Sequence, residues 1–309
     1  MSVNVTLTCS TNTSFLYNYC SRINYIFLII ATTLLALLIV VLNSLFLFIM
    51  QRSKNRLLLS DKLLMMLAVA DLLSGVITLP LFAYTVYYYT QQKLTCKVAD
   101  FNRIAGYTLS SMSVMSITFI VMDVYIAVLH PFFYQRHVQS NKTIVLLLGT
   151  WMFWLLFCII AEWTLTWKIF TTCAGVVIVI MLICLMFCLI KLHIIIRKIS
   201  CKNELDKKPM VKVSKSLKMA VTVLGMYSFC YLPIATLNVC NGIKKNSSTV
   251  QTYALLWCQF IALSNSFWNT LVYYYRLRKV RRELIHLLCG KTPERHTPST
   301  SAAVINTIL

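Results

Sequence analysis

The chain has 309 residues, 59% of them hydrophobic and only 12% charged, with a formal net charge of +20. Water-soluble domains carry roughly 25% charged residues, so an ordinary soluble enzyme is excluded, and seven Gly with no GxxxxGK run exclude a phosphate-cradling loop. On a soluble domain so basic a balance would point to nucleic acid; on this apolar background it points to a lipid bilayer, with no nucleic-acid partner.

A helix crosses the roughly 30 Å hydrocarbon layer with about 20 apolar residues. Residues 25–50 carry no charge, residues 63–90 carry only Asp71, and residues 104–122 are clean up to Asp123. Residues 143–161, 169–190, 219–243 and 246–275 are also uncharged, which makes seven stretches. None alternates with period two, so a β-barrel is disfavoured. In lipid the backbone must be bonded internally, so the stretches are helices. None has the polar face that a helix of a soluble core needs.

Lys and Arg set the orientation. With the N-terminus extracellular, 22 basic residues fall on the inner side and seven on the outer. Sequons at Asn4, Asn12 and Asn246 then lie outside as glycosylation sites, while Asn141 faces the cytosol unused. The start of the chain is polar and lacks a basic leader, so the first span is expected to serve as its own insertion signal. The organisation is an extracellular segment at 1–23, a bundle at 24–275, an amphipathic helix at 276–289 and a disordered cytoplasmic tail at 290–309. In the amphipathic helix Leu277, Val280, Leu284, Leu287 and Leu288 recur at helical spacing between basic residues, which suits an interfacial helix. Cys289 at its end is a palmitoylation candidate. The tail carries phosphorylatable Thr and Ser and ends in Thr307-Ile308-Leu309, which fits a PDZ-protein ligand.

Polar side chains inside spans are costly and mark function. They are Asn43 in the first span, Asp71 in the second, and Asn265, Ser266 and Asn269 in the seventh. For Asn43 taken alone, interhelical hydrogen bonding that holds the bundle is an equal alternative to a functional role. A lone carboxylate such as Asp71 needs a partner, a proton or a cation.

Taken in order, the motifs resemble those of rhodopsin-like (class A) G-protein-coupled receptors. Asn43 and Leu67-Ala68-Val69-Ala70-Asp71 match the first and second spans of that family. Asp123-Val124-Tyr125 resembles the Asp-Arg-Tyr box, and Trp151 fits the fourth-span tryptophan. Phe229-Cys230-Tyr231-Leu232-Pro233 resembles Cys-Trp-x-Pro, and residues 265–273 resemble Asn-Ser-x-x-Asn-Pro-x-x-Tyr. The resemblance spans residues 24 to 289. It implies an all-α membrane protein, a seven-transmembrane helix bundle plus amphipathic helix 8. It also implies a receptor at the plasma membrane for an extracellular small-molecule or peptide ligand, coupled to heterotrimeric G protein and arrestin, and not an enzyme.

Three departures bear on the switches. Val124 stands at the family's Arg, Tyr231 at its Trp and Thr270 at its Pro, while Asp123, Tyr125, Pro233 and Tyr273 are kept. Without the Arg, Asp123 is expected to pair with an inner-loop Lys or Arg, or to take a proton. The loss also raises an alternative: a non-signalling decoy or a heterodimer partner. A channel or transporter is a weaker third reading, because no internal repeat or pair of broken helices is visible.

The resemblance also carries ligand expectations. Counting from Val124, the position of the amine receptors' Asp is Gly106, and the opsins' Lys position is Leu263, so an amine and a retinal ligand are both disfavoured. Tyr107, Ser110, Glu162, Asn238 and Gln259 are the pocket candidates. Tyr84 and Trp163 are further upper-bundle candidates, while Tyr87 reads rather as an interface-belt residue. The short second outer loop and Asn238 are similar to the melanocortin and adenosine groups. The family's bridge would join Cys96 to Cys173, with Cys9–Cys20 and a tie to Cys240 as competitors. Ser113, eleven residues before Val124, falls at the family's serine for a sodium site. Asp71 and Ser113 are therefore expected to ligate an allosteric Na⁺, with Asn265, Ser266 and Asn269 nearby. The alternative is an Asp71 hydrogen-bonded only to Asn43 and Asn269.

Overall fold

The structure is a computed structural model that describes residues 22–52, 58–91, 93, 95–165, 167–202, 207–243 and 249–289. The described residues are nearly all helical. The first span is α1 (Arg22–Arg52). The second is α2 (Leu59–Leu73) continued by α3 (Leu79–Thr90), and the third is α4 (Cys96–Leu129). A short inner helix α5 (Pro131–His137) precedes α6 (Ser140–Thr164), the fourth span. The fifth and sixth spans are α7 (Trp167–Lys202) and α8 (Lys207–Ile243). The seventh is α9 (Thr249–Leu263) and α10 (Asn265–Arg276), followed by α11 (Arg278–Cys289).

Among the described residues five helical stretches are long and apolar enough to cross a membrane, in α1, in α2 through α3 taken together, and in α4, α6 and α7, and residues Leu224–Cys240 of α8 form a shorter apolar stretch. Successive spans are neighbours, the seventh closes against the first and sixth, and α4 touches the second, fourth, fifth and sixth. That arrangement is a seven-helix bundle with the third span at its centre. Lipid-facing positions such as Leu37, Phe153, Ile160, Ile183 and Phe187 are exposed, as an apolar solvent requires.

Burial gathers two large cores and a small cluster of Cys158, Ala161 and Phe170. An inner core gathers Phe46, Leu63, Leu67, Val121, Trp151 and Tyr227. An outer core between the first, second and seventh spans gathers Tyr25, Leu28, Ile39, Leu79 and Phe82. Two glycines allow close helix approach. A Cβ on Gly75 would meet Ile39 Cγ2 at 2.8 Å, and one on Gly175 would meet the Ala235 carbonyl oxygen at 3.0 Å.

Two spans are interrupted for backbone reasons. In the second, residues Ser74–Thr78 form a π-turn, closed by the Leu79 N–H on the Ser74 carbonyl five residues back. Pro80 follows; it has no N–H to give, and its ring crowds the carbonyl four residues earlier. The extra residue of a π-turn absorbs that mismatch. In the seventh span α9 stops at Leu263 and α10 starts at Asn265. Ser264 turns its hydroxyl onto the Ile261 carbonyl at 2.7 Å, satisfying a group that the break frees.

Candidate functional site

The second, third and seventh spans each place a polar side chain at one depth, and the three meet. Asp71 is fully buried. Ser113 Oγ donates to its Oδ1 at 2.6 Å, Ser266 Oγ donates to the same oxygen at 2.8 Å, and Asn269 Nδ2 donates to Oδ2 at 3.1 Å. The helical period explains the convergence: Ser266 and Asn269 are three apart, on one face of α10. Three donors from two other spans therefore satisfy one carboxylate, which a dry interior demands.

Asn43 lies beside this group and is held differently. Its Oδ1 accepts from Thr270 Oγ1 at 2.9 Å, and its Nδ2 donates to the Ile39 carbonyl at 2.9 Å. The same Thr270 Oγ1 lies 2.9 Å from the Ser266 carbonyl, which shares its one proton, and through Asn43 the residue at the family's Pro position ties the seventh span to the first. Tyr274 adds a hydroxyl bond to the Leu42 carbonyl at 3.0 Å. Both amide atoms of Asn265 and Oδ1 of Asn269 are buried with no partner among the described residues. Tyr273 is buried against Phe46, ring centroids 5.2 Å apart.

The residue set suits a small hard cation. It offers one carboxylate, two hydroxyl oxygens and the unpartnered Asn269 Oδ1, all oxygen, with no soft ligand in the group.

At the inner end of α4, Asp123 is met by Tyr134 of α5, whose hydroxyl donates to Oδ1 at 2.8 Å. The expectation of an inner-loop Lys or Arg partner is corrected here: a phenol takes that place. Pro131 opens α5 directly after α4, and one short helix carries Tyr134 back to the carboxylate. Burial, then the Asp123 charge and the bond to it, push the Tyr134 phenol up, so it remains the donor. Val124 is partly buried and packs against the inner core, while Tyr125 is partly buried.

In the outer half, Tyr107 is central. Asn238 Nδ2 donates to its hydroxyl at 3.1 Å, and Phe170 meets its ring edge-on, centroids 5.1 Å apart. Ser110 hydrogen-bonds Tyr231, which stacks on Tyr227 with ring centroids 4.3 Å apart. Gly106 sits against both the second and seventh spans: a Cβ added there would be in ordinary contact, 3.9 Å from Gln259 Nε2 and from Thr78 Cγ2. Tyr107, Ser110, Asn238 and Gln259 thus belong to one region between the third, sixth and seventh spans. Tyr84, Tyr87 and Trp163 are exposed on the outside of the bundle instead.

Cys173 is a free, exposed thiol in the second turn of α7. The bridge from Cys96 to Cys173 is therefore not made. The fifth-span helix starts at Trp167, so Cys173 sits within a helix and not in a loop. The side chains of Cys96, Glu162 and Cys289 lie outside the described residues, as do Asn4, Asn12, Asn246, Cys9, Cys20 and the tail from 290.

Residues 42–170 match the model of the 7 transmembrane receptor (rhodopsin family). The chain is also 30% identical, over 108 residues, to Dopamine receptor 2 of Caenorhabditis elegans, a match covering 34% of this chain and 13% of that relative. The matched family stretch runs from the second half of α1 to the first turn of α7 and holds Asn43, Asp71, Ser113 and the Asp123-Val124-Tyr125 motif. The resemblance to rhodopsin-like receptors, read from the motifs, is borne out, and with it the seven-helix bundle.

Proposed function

We propose that this chain, built on the rhodopsin-like bundle, is a plasma-membrane receptor with its N-terminus outside. It takes an extracellular small-molecule or peptide ligand in the outer half and addresses heterotrimeric G protein and arrestin with its basic inner face. The observation that carries the reading is the Asp71 network. Because one carboxylate draws donors from α4 and α10, a ligand that shifts either helix outside must reorder the same bonds inside. Pro233, inside α8, supplies a weak point about which the inner end of the sixth span moves outward. The ligand favours the state it binds better, and only by that difference.

Tyr107, Ser110, Asn238, Gln259 and Glu162 are the proposed ligand contacts. Although the relative's name points to dopamine, Gly106 offers no carboxylate for an ammonium, and an amine is disfavoured here. Asp71 and Ser113 would hold a sodium ion, with Ser266 and Asn269 adding oxygens; the bound ion would keep the carboxylate charged in the inactive state. Glycosylation at Asn4, Asn12 and Asn246, palmitoylation at Cys289 and a PDZ protein at the C-terminus complete the proposal.

An N-terminal epitope tag labelled on intact cells, with a C-terminal tag labelled only after permeabilisation, is the expected topology result; the reverse pattern ends the reading. For sodium, raising NaCl at constant ionic strength is expected to raise thermal stability where KCl does not. Asp71→Asn should abolish that difference, and a wild-type protein indifferent to Na⁺ over K⁺ removes the ion.

Val124 favours a second reading, a non-signalling decoy or heterodimer partner, because an isopropyl group packed into the inner core cannot reach a G protein as a guanidinium does. Val124→Arg should raise basal or ligand-driven second-messenger output. Robust coupling by the native chain with no change in Val124→Arg removes the decoy.

A further inference from the structure

We propose that α5 is seated on the inner membrane surface, with Phe132 and Phe133 inserted at the boundary of headgroups and acyl chains and Arg136 facing anionic headgroups. This rests on the outward N-terminus proposed above. Phe132 is 86% exposed, more than any other large apolar side chain among the described residues, and its neighbour Phe133 is 53% exposed. Both lie outside every charge-free stretch, so the lipid that covers the spans does not by itself account for them. Phe132 and Arg136 are four residues apart, as are Phe133 and His137, and all four side chains are exposed. At about 100° per residue they fill an arc of about 140°, and Tyr134 falls outside it. Tyr134 instead turns to Asp123, donating to Oδ1 at 2.8 Å, so the aromatic and basic arc faces away from the bundle. His137 stacks on Phe133, centroids 4.5 Å apart at 20°, which widens the flat aromatic surface.

The depth of this helix is fixed from both sides. Asp123 is the first charged residue after the uncharged residues 104–122, so it marks the inner edge of the hydrocarbon crossing on the third span. The Tyr134 bond keeps α5 within one tyrosine side chain of that edge. On the other side α6 begins at Ser140, and the uncharged run of the fourth span begins at Thr143. A helix bracketed by two such edges lies where aromatic rings partition and basic side chains meet headgroups.

Charge selects the occupant. No Asp or Glu occurs from residue 124 to residue 161, while Arg136 and the exposed Lys142 flank the rings. Aromatic rings beside uncompensated cations fit the anionic leaflet of a membrane, which offers acyl chains and negative headgroups at one depth. Because Tyr134 on the back of α5 holds Asp123, a lipid-seated α5 also fixes the inner end of the third span against the membrane.

The test places the photoreactive residue p-benzoylphenylalanine at position 132 of the full chain, in nanodiscs and in cells. The same probe at Phe153, exposed on the fourth span, serves as the lipid-facing standard. After irradiation a lipid-mass adduct is expected at both positions. Hydrogen exchange in α5 should be slower by about fivefold or more when phosphatidylserine is added to phosphatidylcholine. The double variant Arg136→Gln with Lys142→Gln should erase that difference. Phe132→Ser should speed exchange in both lipids, and Phe132→Trp should restore protection, since an indole also prefers the interface. Thermal unfolding shows that each variant is folded. A lipid adduct at 153 but none at 132, capture of a protein at 132 in place of lipid, or equal exchange in the two lipids would overturn the proposal. So would a difference that persists in the double variant. A reversed tag topology ends the outward N-terminus separately, because the adduct in symmetric nanodiscs does not depend on which side α5 faces.

Discussion

Two carboxylates of the bundle, Asp71 and Asp123, are held in opposite ways. Asp71 is held by three side chains from two distant spans, at sequence separations of 42, 195 and 198. Asp123 is held by one phenol only eleven residues away, on the short helix that follows its own span. The first carboxylate joins three spans, while the second fastens a short helix to the end of its own span. A change at Asp71 is therefore felt across the bundle, and a change at Asp123 stays at the inner surface.

Removing the first carboxylate should have the largest effect. Asp71→Ala leaves three buried donors without an acceptor, and at about 1–3 kcal/mol for a stranded group the loss should reach about 3 kcal/mol or more. Thermal unfolding in nanodiscs measures it, and Asp71→Asn, which keeps one acceptor oxygen, should lose clearly less. Gly75→Ala comes next. Its methyl would fall 2.8 Å from Ile39 Cγ2, and overpacking of this kind costs about 1–3 kcal/mol. An unchanged melting temperature would show that the first and second spans separate freely there. Thr270→Val removes the hydroxyl bond to Asn43 and should cost about 1 kcal/mol. Tyr134→Phe should cost a similar amount, about 0.5–1.5 kcal/mol, but its effect should stay local and speed hydrogen exchange in α5 alone. Faster exchange around Ser113 in that variant would break the contrast between the two carboxylates.

The pH dependence sharpens the second site. Because the folded state holds the Tyr134 proton more tightly than an unfolded chain, whose tyrosines titrate near pH ~10, this group's contribution is complete below that pH. It is lost as pH rises further, when the unfolded state sheds the proton first. Stability should fall above that point, and less steeply in Tyr134→Phe.

The apolar runs made the seven-helix fold legible in the sequence, because lipid leaves a charge-free stretch only one regular structure. The membership of the Asp71 group was also legible for Ser113, Ser266 and Asn269, whose depth follows from counting along helices. What the sequence hid was pairing that depends on local backbone. Asn43 turns to Thr270 rather than to Asp71, since a threonine at that position brings a hydroxyl that a proline lacks. Tyr134 reaches Asp123 because Pro131 restarts the helix at once, a signal present in the sequence but masked by the search for a cation. The Cys96–Cys173 expectation set the family's bridge above the signal in the residues themselves, since Cys173 already lay inside the charge-free stretch 169–190 that forms α7.

The break in the seventh span sets a mechanical ratio. Ser264 lies six residues outward of Thr270, so the rigid arm from the break to Tyr273 is about 13 Å at 1.5 Å per residue, against about 4.5 Å for a pivot at Thr270. The same angular change at Ser264 sweeps Tyr273 roughly three times as far. A rotation of α9 by a few degrees near Gln259 would thus be geared up before it reaches Tyr273, and the Thr270–Asn43 bond acts as the brake on that lever. Releasing the brake with Thr270→Val should widen the distribution of distances between spin labels on Tyr275 and Arg52.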